Sequence, residues 1–346
     1  ARKTIEFRRQ GAVMGDYDLE ILEQYPIQVD NVRKVRGAFL CETDRGLMLL
    51  KQAALSKPRM LVMNEIHKAM KKQEHLRCDE LIPNREGEFL TATEDGTTYY
   101  LKAWYPGREC DVRKHGEILE AARLLAKIHR LMELPGAREG FRSSDLLDEY
   151  RRHNREMKKV WSFIRKKPIK GEFESRFLEC FEDMYRVAAA VEERLGSSSY
   201  RRLQKEAKER GSFIHGEYNY HNILITPEGM TAVNFEHVGR DLQAADLAYF
   251  LRKVMEKHQW NEKLGAEILR AYCAVNPLSE EEKEYIALRL SYPEKFWKCA
   301  NTYYNSNKAW ISSKSVEKLR ISIEQNEIRK RFLEQIFAFH LEKSGV

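Results

Sequence analysis

Residues 213–225 have the sequence Phe-Ile-His-Gly-Glu-Tyr-Asn-Tyr-His-Asn-Ile-Leu-Ile, and this stretch decides how the whole chain is interpreted. It begins with an apolar pair and ends in an apolar, β-branched run, a pattern that predicts a strand, a polar loop and a second strand. The loop places His, Gly, Glu and Asn residues side by side, and such residues are poorly suited to a hydrophobic core. We therefore expect this loop to carry a functional site.

A second polar segment follows at residues 230–236, where Met-Thr-Ala-Val leads into Asn-Phe-Glu. The turn residues at 227–229 predict that the strands on either side form a hairpin. The hairpin would bring together four polar side chains: Glu217, Asn222, Asn234 and Glu236. Kinases use one loop residue to position the acceptor hydroxyl, and an amide and a carboxylate to hold metal ions on the phosphates.

Three motifs occur in a characteristic order: His215-Gly216-Glu217, then Asn222, then Asn234-Phe235-Glu236. They resemble the catalytic core of the aminoglycoside phosphotransferase and choline-kinase-like superfamily. Within it, the chain resembles the CotS family of spore-coat-associated proteins. Further segments extend this resemblance over nearly the whole chain: Tyr218 to Asn222, Asp241-Leu242-Gln243, Asp246-Leu247-Ala248, Phe250 to Lys253, Phe296-Trp297-Lys298 and Tyr303-Tyr304-Asn305.

The resemblance implies an α+β fold of the two-lobe, protein-kinase-like type. Residues 1–103 would form the nucleotide-binding lobe, a five-stranded antiparallel sheet with a helix. Residues 104–110 would form a hinge, and residues 111–346 a mainly helical lobe that includes the catalytic-loop region 213–246. The implied cofactors are ATP, or another nucleoside triphosphate, and Mg²⁺. The implied partners are a small-molecule acceptor with an alcohol or amine group, or proteins of the spore coat, which places the chain in sporulation.

In the kinase template, a strand lysine grips the nucleotide phosphates and a helix glutamate holds that lysine in place. Lys51 lies on a predicted strand at 47–53, and Glu65 lies on the helix that follows it. We therefore expect an ion pair between Lys51 and Glu65 at the nucleotide site. Lys102 and Trp104, at the end of the last predicted strand of the sheet, are the other predicted cofactor-binding residues.

The resemblance also implies roles for the loop residues. The catalytic set would consist of His215, Glu217 and Asn222, with Glu217 positioning the acceptor. The metal ligands would be Asn222, Asn234 and Glu236. Asp246, in the first turn of a predicted helix, would be structural and would accept backbone N–H groups of the catalytic loop. The aromatic residues of segment 296–310 either line the acceptor pocket or pack between helices.

Two positions depart from the superfamily pattern, which has Asp where this chain has Glu217 and Asn234. The glutamate is one methylene longer, so its carboxylate is displaced from the hydroxyl that an aspartate would hold. The asparagine is neutral, whereas Mg²⁺ prefers carboxylate oxygens. Two alternatives follow: an ATP-dependent phosphotransferase with a weakened site, or a catalytically inactive pseudokinase that serves as a structural or binding protein of the spore coat.

Composition narrows the classes of partner. Lys and Arg number 60 and Asp and Glu 53, so the net charge is +7, a mild excess that suits nucleotides. This positive charge is not concentrated as it is in a nucleic-acid-binding protein. The basic segment 151–170 also has few aromatic residues between its charges. The six cysteines show no paired spacing, which argues against zinc and disulfides. No apolar run reaches transmembrane length, and we expect cytoplasmic synthesis without a signal peptide or a membrane partner.

Overall fold

The computed structural model describes residues 20–35, 37–73, 76–136, 145–306 and 313–341. These residues form two compact units. The first unit contains the described residues up to Asp111 together with His215–Gly239. The second unit contains the described parts of residues 112–136, 142–214 and 240–346. The loop that contains Gly216 and Asn222 therefore folds with the N-terminal part of the chain. The predicted lobe and hinge boundaries remain a prediction.

An antiparallel sheet forms the centre of the first unit. Its strands are β1 (Val29–Val35), β2 (Ala38–Thr43), β3 (Gly46–Gln52), β4 (Leu81–Ile82), β5 (Thr91–Ala92) and β6 (Thr98–Ala103). They lie in the order β1-β2-β3-β6-β4, and β5 also pairs with β6. The predicted antiparallel sheet is confirmed, and β4 adds a sixth strand to the predicted five.

The alternation of side chains gives this sheet two different faces. One face carries the larger hydrophobic cluster, which includes Cys41, Met48, Leu50 and Leu101 together with Ile21, Leu22 and Tyr25. The other face carries a smaller cluster of Ala38, Leu40 and Leu49. Lys51 follows Leu49 by two residues, and Lys102 lies opposite Leu49 on β6. Both lysines therefore belong to the face with the smaller cluster.

Helix α1 (Lys57–Lys71) begins after Ser56 and has a proline in its first turn, as the sequence predicts. Its buried residues recur at helical spacing: Met60, Val62, Met63, Ile66, His67 and Met70. Glu65 and Lys68 lie on the exposed side of the same helix. The helix therefore presents an apolar face, and not Glu65, to the rest of the unit.

The predicted hairpin at the functional loop is confirmed. It consists of β9 (Ile223–Thr226) and β10 (Gly229–Ala232), and β7 (Arg108–Glu109) pairs with β9. Cys78 makes an isolated parallel bridge with Ala232. This bridge holds the segment before β4 beside the end of β10, which is where Asn234 follows.

The second unit is built mainly of helices, as the sequence predicts. They are α2 (His115–Leu131), α3 (Leu146–Lys166), α4 (Glu172–Ser197), α5 (Tyr200–Arg210), α6 (Ala244–Met255), α7 (Glu262–Cys273), α8 (Glu280–Ser291), α9 (Glu294–Asn305) and α10 (Ser313–Phe337). Two further short strands are β8 (Phe213–Ile214) and β11 (Gly239–Arg240). In the described part of the chain, none of the helices is long and apolar enough to cross a membrane.

Candidate functional site

Gly216 and the buried His215 determine the conformation of the functional loop, residues 215–222. Gly216 has a φ of +84°, and a Cβ atom there would lie 2.2 Å from the carbonyl oxygen of His237, so only glycine fits. His215 is buried; its Nε2–H donates to the carbonyl oxygen of Val233 at 3.0 Å, and its Nδ1 accepts from the N–H of Glu217 at 3.3 Å. These bonds to the main chain give His215 a part in ordering the loop, whereas its predicted catalytic role remains a prediction.

The structure brings the two asparagines of the predicted site together. Asn222 ends a short 3₁₀ turn, and its Nδ2 donates to the carbonyl oxygen of Glu217 at 2.9 Å. Its Oδ1 accepts from Nδ2 of Asn234 at 2.9 Å. The side-chain oxygen of Asn222, which the resemblance assigns to a metal, is therefore bonded to a neighbouring amide.

Asn234 has a left-handed backbone, with φ 66° and ψ 55°, a conformation that asparagine tolerates better than most residues. Its N–H donates to Oδ2 of Asp79 at 2.7 Å. Phe235 is buried next to it, with its ring edge-on to His67 at a centroid distance of 5.0 Å. This turn directs the following residue, Glu236, towards the sheet.

Three side chains from the sheet converge on Glu236. Lys51 lies directly opposite Tyr100 in the β3–β6 register, and Lys102 follows Tyr100 by two residues, so all three share one face. Each donates to the same oxygen, Glu236 Oε1: Lys51 Nζ at 2.6 Å, Tyr100 Oη at 2.7 Å and Lys102 Nζ at 2.8 Å. The sheet register therefore creates a pocket of donors for one carboxylate.

Lys102 is fully buried and uses all three of its donors. Its Nζ bonds Asp79 Oδ2 at 2.6 Å, Asn234 Oδ1 at 2.8 Å and Glu236 Oε1 at 2.8 Å. An ammonium group has three N–H bonds and no acceptor, so its bonding capacity is met by these partners. We call Lys51, Asp79, Tyr100, Lys102, Asn234 and Glu236 the lysine cluster.

The charges of the lysine cluster balance, with Lys51 and Lys102 against Asp79 and Glu236. Burial raises the pKa of Glu236, but Lys102 and then Lys51 outweigh burial and hold that pKa well below its usual range. Burial lowers the pKa of Lys102, but Asp79 and Glu236 outweigh burial and raise it. The structure therefore keeps both groups charged, because each is paired and hydrogen-bonded.

The predicted ion pair between Lys51 and Glu65 is wrong. Glu65 is exposed on α1 and bonds Lys68 at 3.0 Å, one helical turn away. Lys51 instead bonds Glu236. The reason is the phase of the helix, because its apolar residues face inwards and turn Glu65 to the outside.

Asp79, like Tyr100, is a member of the lysine cluster that sequence reasoning missed. It is fully buried, and it links Lys102 to the backbone of Asn234 through one oxygen. Nothing in its local sequence marks it. The sequence points to Asp79 only indirectly, through its partner Lys102. Lys102 follows Tyr-Tyr-Leu in an apolar strand, so its side chain is expected to be buried, and a buried lysine requires a carboxylate partner.

Glu217 and Asp246, the remaining predicted polar residues, differ in environment. The Glu217 side chain is 47% exposed, and its carboxylate lies 3.7 Å from Nε2 of His237. Asp246 belongs to the second unit and is buried; its Oδ2 lies 3.2 Å from Nε2 of His129, whose Nδ1 is 2.7 Å from the Tyr272 hydroxyl. Asp246 thus links α2 and α6, and its predicted bonds to the catalytic loop remain a prediction.

Trp104 and the aromatic residues of α9 pack in clusters. Trp104 is partly buried against the cluster of Ala38, Leu40 and Leu49, and Lys102 Nζ lies 5.5 Å from its ring centroid. In the second unit, Phe296 stacks on Phe177 at 4.8 Å and Tyr303 stacks on Phe173 at 4.9 Å. These contacts favour helix packing as the role of Phe296 and Tyr303, and Trp310 lies outside the described residues.

The predicted metal ligands do not fit a resident Mg²⁺ in this arrangement. Asn222 Oδ1 accepts from Asn234, and both Asn234 Oδ1 and Glu236 Oε1 accept from the ammonium of Lys102. A divalent cation on the same oxygens would lie against this ammonium, with like charges repelling in a buried site. Within the described ranges, no group of three or more His, Cys, Asp or Glu residues is placed to hold a metal ion.

The sheet, the helix after its third strand and the Asn-bearing loop define a kinase-like phosphotransferase fold. Solved structures show the same fold. An aminoglycoside phosphotransferase from Alicyclobacillus acidocaldarius has a TM-score of 0.80 and 18% identity, with 95% of this chain and 97% of that chain covered. A spectinomycin phosphotransferase solved with ADP and spectinomycin has a TM-score of 0.64 and 11% identity, covering 94% of this chain and 100% of that chain.

The sequence comparisons identify the family. The family described as "Spore coat putative kinase YutH" matches residues 19–336, and the chain belongs to this family. Spore coat protein S of Bacillus subtilis (strain 168) is 25% identical over 329 residues, which cover 92% of this chain and 93% of that protein. The predicted resemblance to CotS-type spore-coat proteins and to aminoglycoside phosphotransferases is confirmed.

Proposed function

We propose that this chain is a spore-coat-associated, kinase-like protein that binds a nucleotide and transfers its phosphoryl group weakly or not at all. The family description and the similarity to spore coat protein S support a place in the coat. The similarity in fold to a phosphotransferase solved with ADP supports nucleotide binding.

The sheet face that carries Lys51 has the features that a nucleotide requires. Ala38, Leu40 and Leu49 form a buried apolar cluster there, and the partly buried side chains of Val35, Leu47 and Trp104 that pack against it give an apolar border that suits a purine base. Lys51, two residues beyond Leu49, keeps 25% of its side chain exposed while bonding Glu236. A partly exposed lysine beside an apolar cluster suits the phosphates of the same ligand.

The observation that carries the proposed weakness in transfer is the bonding of Lys102 to Asn234 and Glu236. Phosphoryl transfer depends on positioning and on positive charge at the transferring phosphate, which kinases obtain from metal ions held by such residues. In this chain, Asn234 Oδ1 and Glu236 Oε1 accept hydrogen bonds from Lys102 instead. Glu217, in addition, is longer than the aspartate of the superfamily, and a displacement of about 1 Å costs on the order of a hundredfold in rate.

A second candidate function is that of a coat protein that uses the kinase-like fold only as a scaffold. The charge-balanced lysine cluster favours it, because both lysines are paired with carboxylates of the protein itself. The two candidates differ in one measurable property, the affinity for nucleotides.

The test is a thermal-shift titration of the natural protein with ATP and ADP. Binding at a hundredfold excess over Kd stabilises a protein by about 2.7 kcal/mol, so we expect a clear rise in Tm. Lys51→Met should lose most of this rise, whereas Lys57→Met, which removes an exposed lysine of the same unit, should keep it. Absence of any shift in the natural protein would favour the scaffold function. A turnover of about 1 per second or faster on any acceptor would contradict weak transfer.

A further inference from the structure

We propose that Lys102 supplies, as a permanent part of the fold, the positive charge that a divalent metal supplies in related phosphotransferases, so that nucleotide binding to this chain requires no divalent metal. The nucleotide part of this inference rests on the proposed function. The part that concerns Lys102 and metal exclusion stands on the lysine cluster alone.

The first argument is position. Asn234 Oδ1 and Glu236 Oε1, two of the three predicted metal ligands, each lie 2.8 Å from Nζ of Lys102. The third, Asn222, bonds Asn234 through its own side-chain oxygen. The ammonium thus lies between two of the three predicted metal ligands. Asp79, which bonds the same ammonium at 2.6 Å, holds it there.

The second argument is charge. The lysine cluster contains two cations and two anions, so it is neutral as it stands. A divalent ion added to it would leave two uncompensated positive charges in a buried place, which is strongly unfavourable. The neutral side chain of Asn234 is part of this balance, because an aspartate there would leave the cluster with a net negative charge.

The third argument is access. Lys102 is completely buried, but the Lys51 side chain is 25% exposed and that of Glu236 is 12% exposed. The cluster therefore reaches the surface through Lys51. A phosphate group that approaches the cluster would therefore meet the ammonium of Lys51 first, with Lys102 buried behind Glu236.

The first experiment measures the affinity of the natural protein for ADP by isothermal titration calorimetry, once with Mg²⁺ and once with excess EDTA. We expect the two Kd values to agree within about threefold. A tenfold or greater gain in affinity with Mg²⁺ would overturn metal-independent binding. Absence of ADP binding under both conditions would overturn the proposed nucleotide function and the nucleotide part of this inference, and would leave metal exclusion to the second experiment.

The second experiment uses Mn²⁺ alone, detected by electron paramagnetic resonance, and needs no nucleotide. The natural protein should bind no Mn²⁺ at the cluster. The double variant Lys102→Met/Asn234→Asp leaves Lys51 against Asp79, Glu236 and the new carboxylate, a net charge of −2, which one divalent ion neutralises. We therefore expect it to gain one Mn²⁺ site per chain. The matched control, Lys57→Met/Asn31→Asp, makes the same change of charge at exposed positions and should gain none.

Two results would overturn metal exclusion by Lys102. One is a natural protein that binds one Mn²⁺ per chain and loses it in Glu236→Gln. The other is a double variant that is folded by circular dichroism and yet gains no Mn²⁺. If the double variant does not fold, the single variant Asn234→Asp tests metal exclusion. It adds a carboxylate to the cluster but keeps Lys102, the residue proposed to exclude the metal. It should still bind no Mn²⁺, and a gain of Mn²⁺ there would contradict the inference.

Discussion

The two positions at which this chain departs from the superfamily, Asn234 and Glu217, lie in opposite environments. Asn234 bonds Lys102, Asn222 and Asp79 through its side chain and its backbone N–H. The Glu217 side chain is half exposed, with its carboxylate 3.7 Å from His237. Asn234 is thus part of a buried hydrogen-bond network, whereas the side chain of Glu217 is half-exposed on the loop.

This contrast shows that the neutral side chain of Asn234 suits the charges around it. A buried lysine requires acceptors, and an asparagine between Asp79 and Glu236 provides one without upsetting the charge balance. We therefore expect Asn234→Asp alone to create no metal site, because Lys102 remains. The Glu217 carboxylate, in contrast, lies half-exposed beside His237, so a change there should disturb few buried contacts.

The largest effect on stability should follow the loss of Asp79. Asp79→Ala leaves the buried ammonium of Lys102 without its shortest bond, and breaking a buried ion pair costs about 3–5 kcal/mol. Urea unfolding measures the loss. Glu88→Ala is the control, since it breaks an exposed pair with Lys57 and should cost at most about 1 kcal/mol. Equal losses in the two variants would contradict a closed cluster.

A dependence on pH should follow from Glu236. Its pKa lies below the ordinary value of 4.5 in the folded protein, so its ionised form contributes stability that is complete above pH 4.5 and is lost as the pH falls towards the folded pKa. The difference in unfolding free energy between the natural protein and Glu236→Gln should be constant from pH 7 to 5 and shrink below pH 4.5. A difference that stays flat down to pH 3 would show that Glu236 is not held ionised by the two lysines.

A moderate effect should follow the loss of Lys51. Glu236 keeps Lys102 and Tyr100 in Lys51→Met, so the cost in stability should be about 1 kcal/mol. The affinity for ADP should fall further, by roughly tenfold or more, because a hydrogen bond to a charged group is worth about 1.5–3 kcal/mol. Calorimetry with ADP checks this. An unchanged ADP affinity would place the nucleotide away from Lys51.

The smallest effect should come from Glu217. Glu217→Asp changes a half-exposed side chain, so the free energy of unfolding should stay within about 0.5 kcal/mol of the natural value. ADP affinity should also be unchanged, because we propose that Glu217 acts on the acceptor and not on the nucleotide. A loss of more than about 1 kcal/mol would mean that Glu217 has a structural role comparable to that of Asn234.

Much of the fold follows from the sequence because its signals are local. Turn residues and alternating side chains identify the hairpins of the sheet, and the apolar period identifies α1. The functional loop is also local, since Gly216 and the His and Asn residues around it lie within a few positions of one another. The two-residue strand β4 escapes such patterns because it is too short to show any alternation.

The site is less predictable because its contacts are distant in the chain. Lys102 meets Asp79 across 23 positions and Glu236 across 134, and no local pattern records these pairings. The expected pair of Lys51 with Glu65 follows a general template, whereas the helix phase and the nearby Lys68 decide the actual position of Glu65. Lys102 itself is predicted as a ligand-binding residue, but its burial depends on Asp79, which the sequence does not single out.

The most direct measurement is a crystal structure of the natural protein soaked with ADP and Mn²⁺, with anomalous scattering used to locate the metal. The expected result is Lys102 Nζ between Asp79, Asn234 and Glu236, a phosphate of ADP near Lys51, and no anomalous peak at the cluster. A Mn²⁺ peak at roughly 2.1 Å from Asn234 Oδ1 or a Glu236 oxygen, the distance of Mg²⁺ coordination, with the Lys102 ammonium displaced, would contradict the role of Lys102 as the built-in cation.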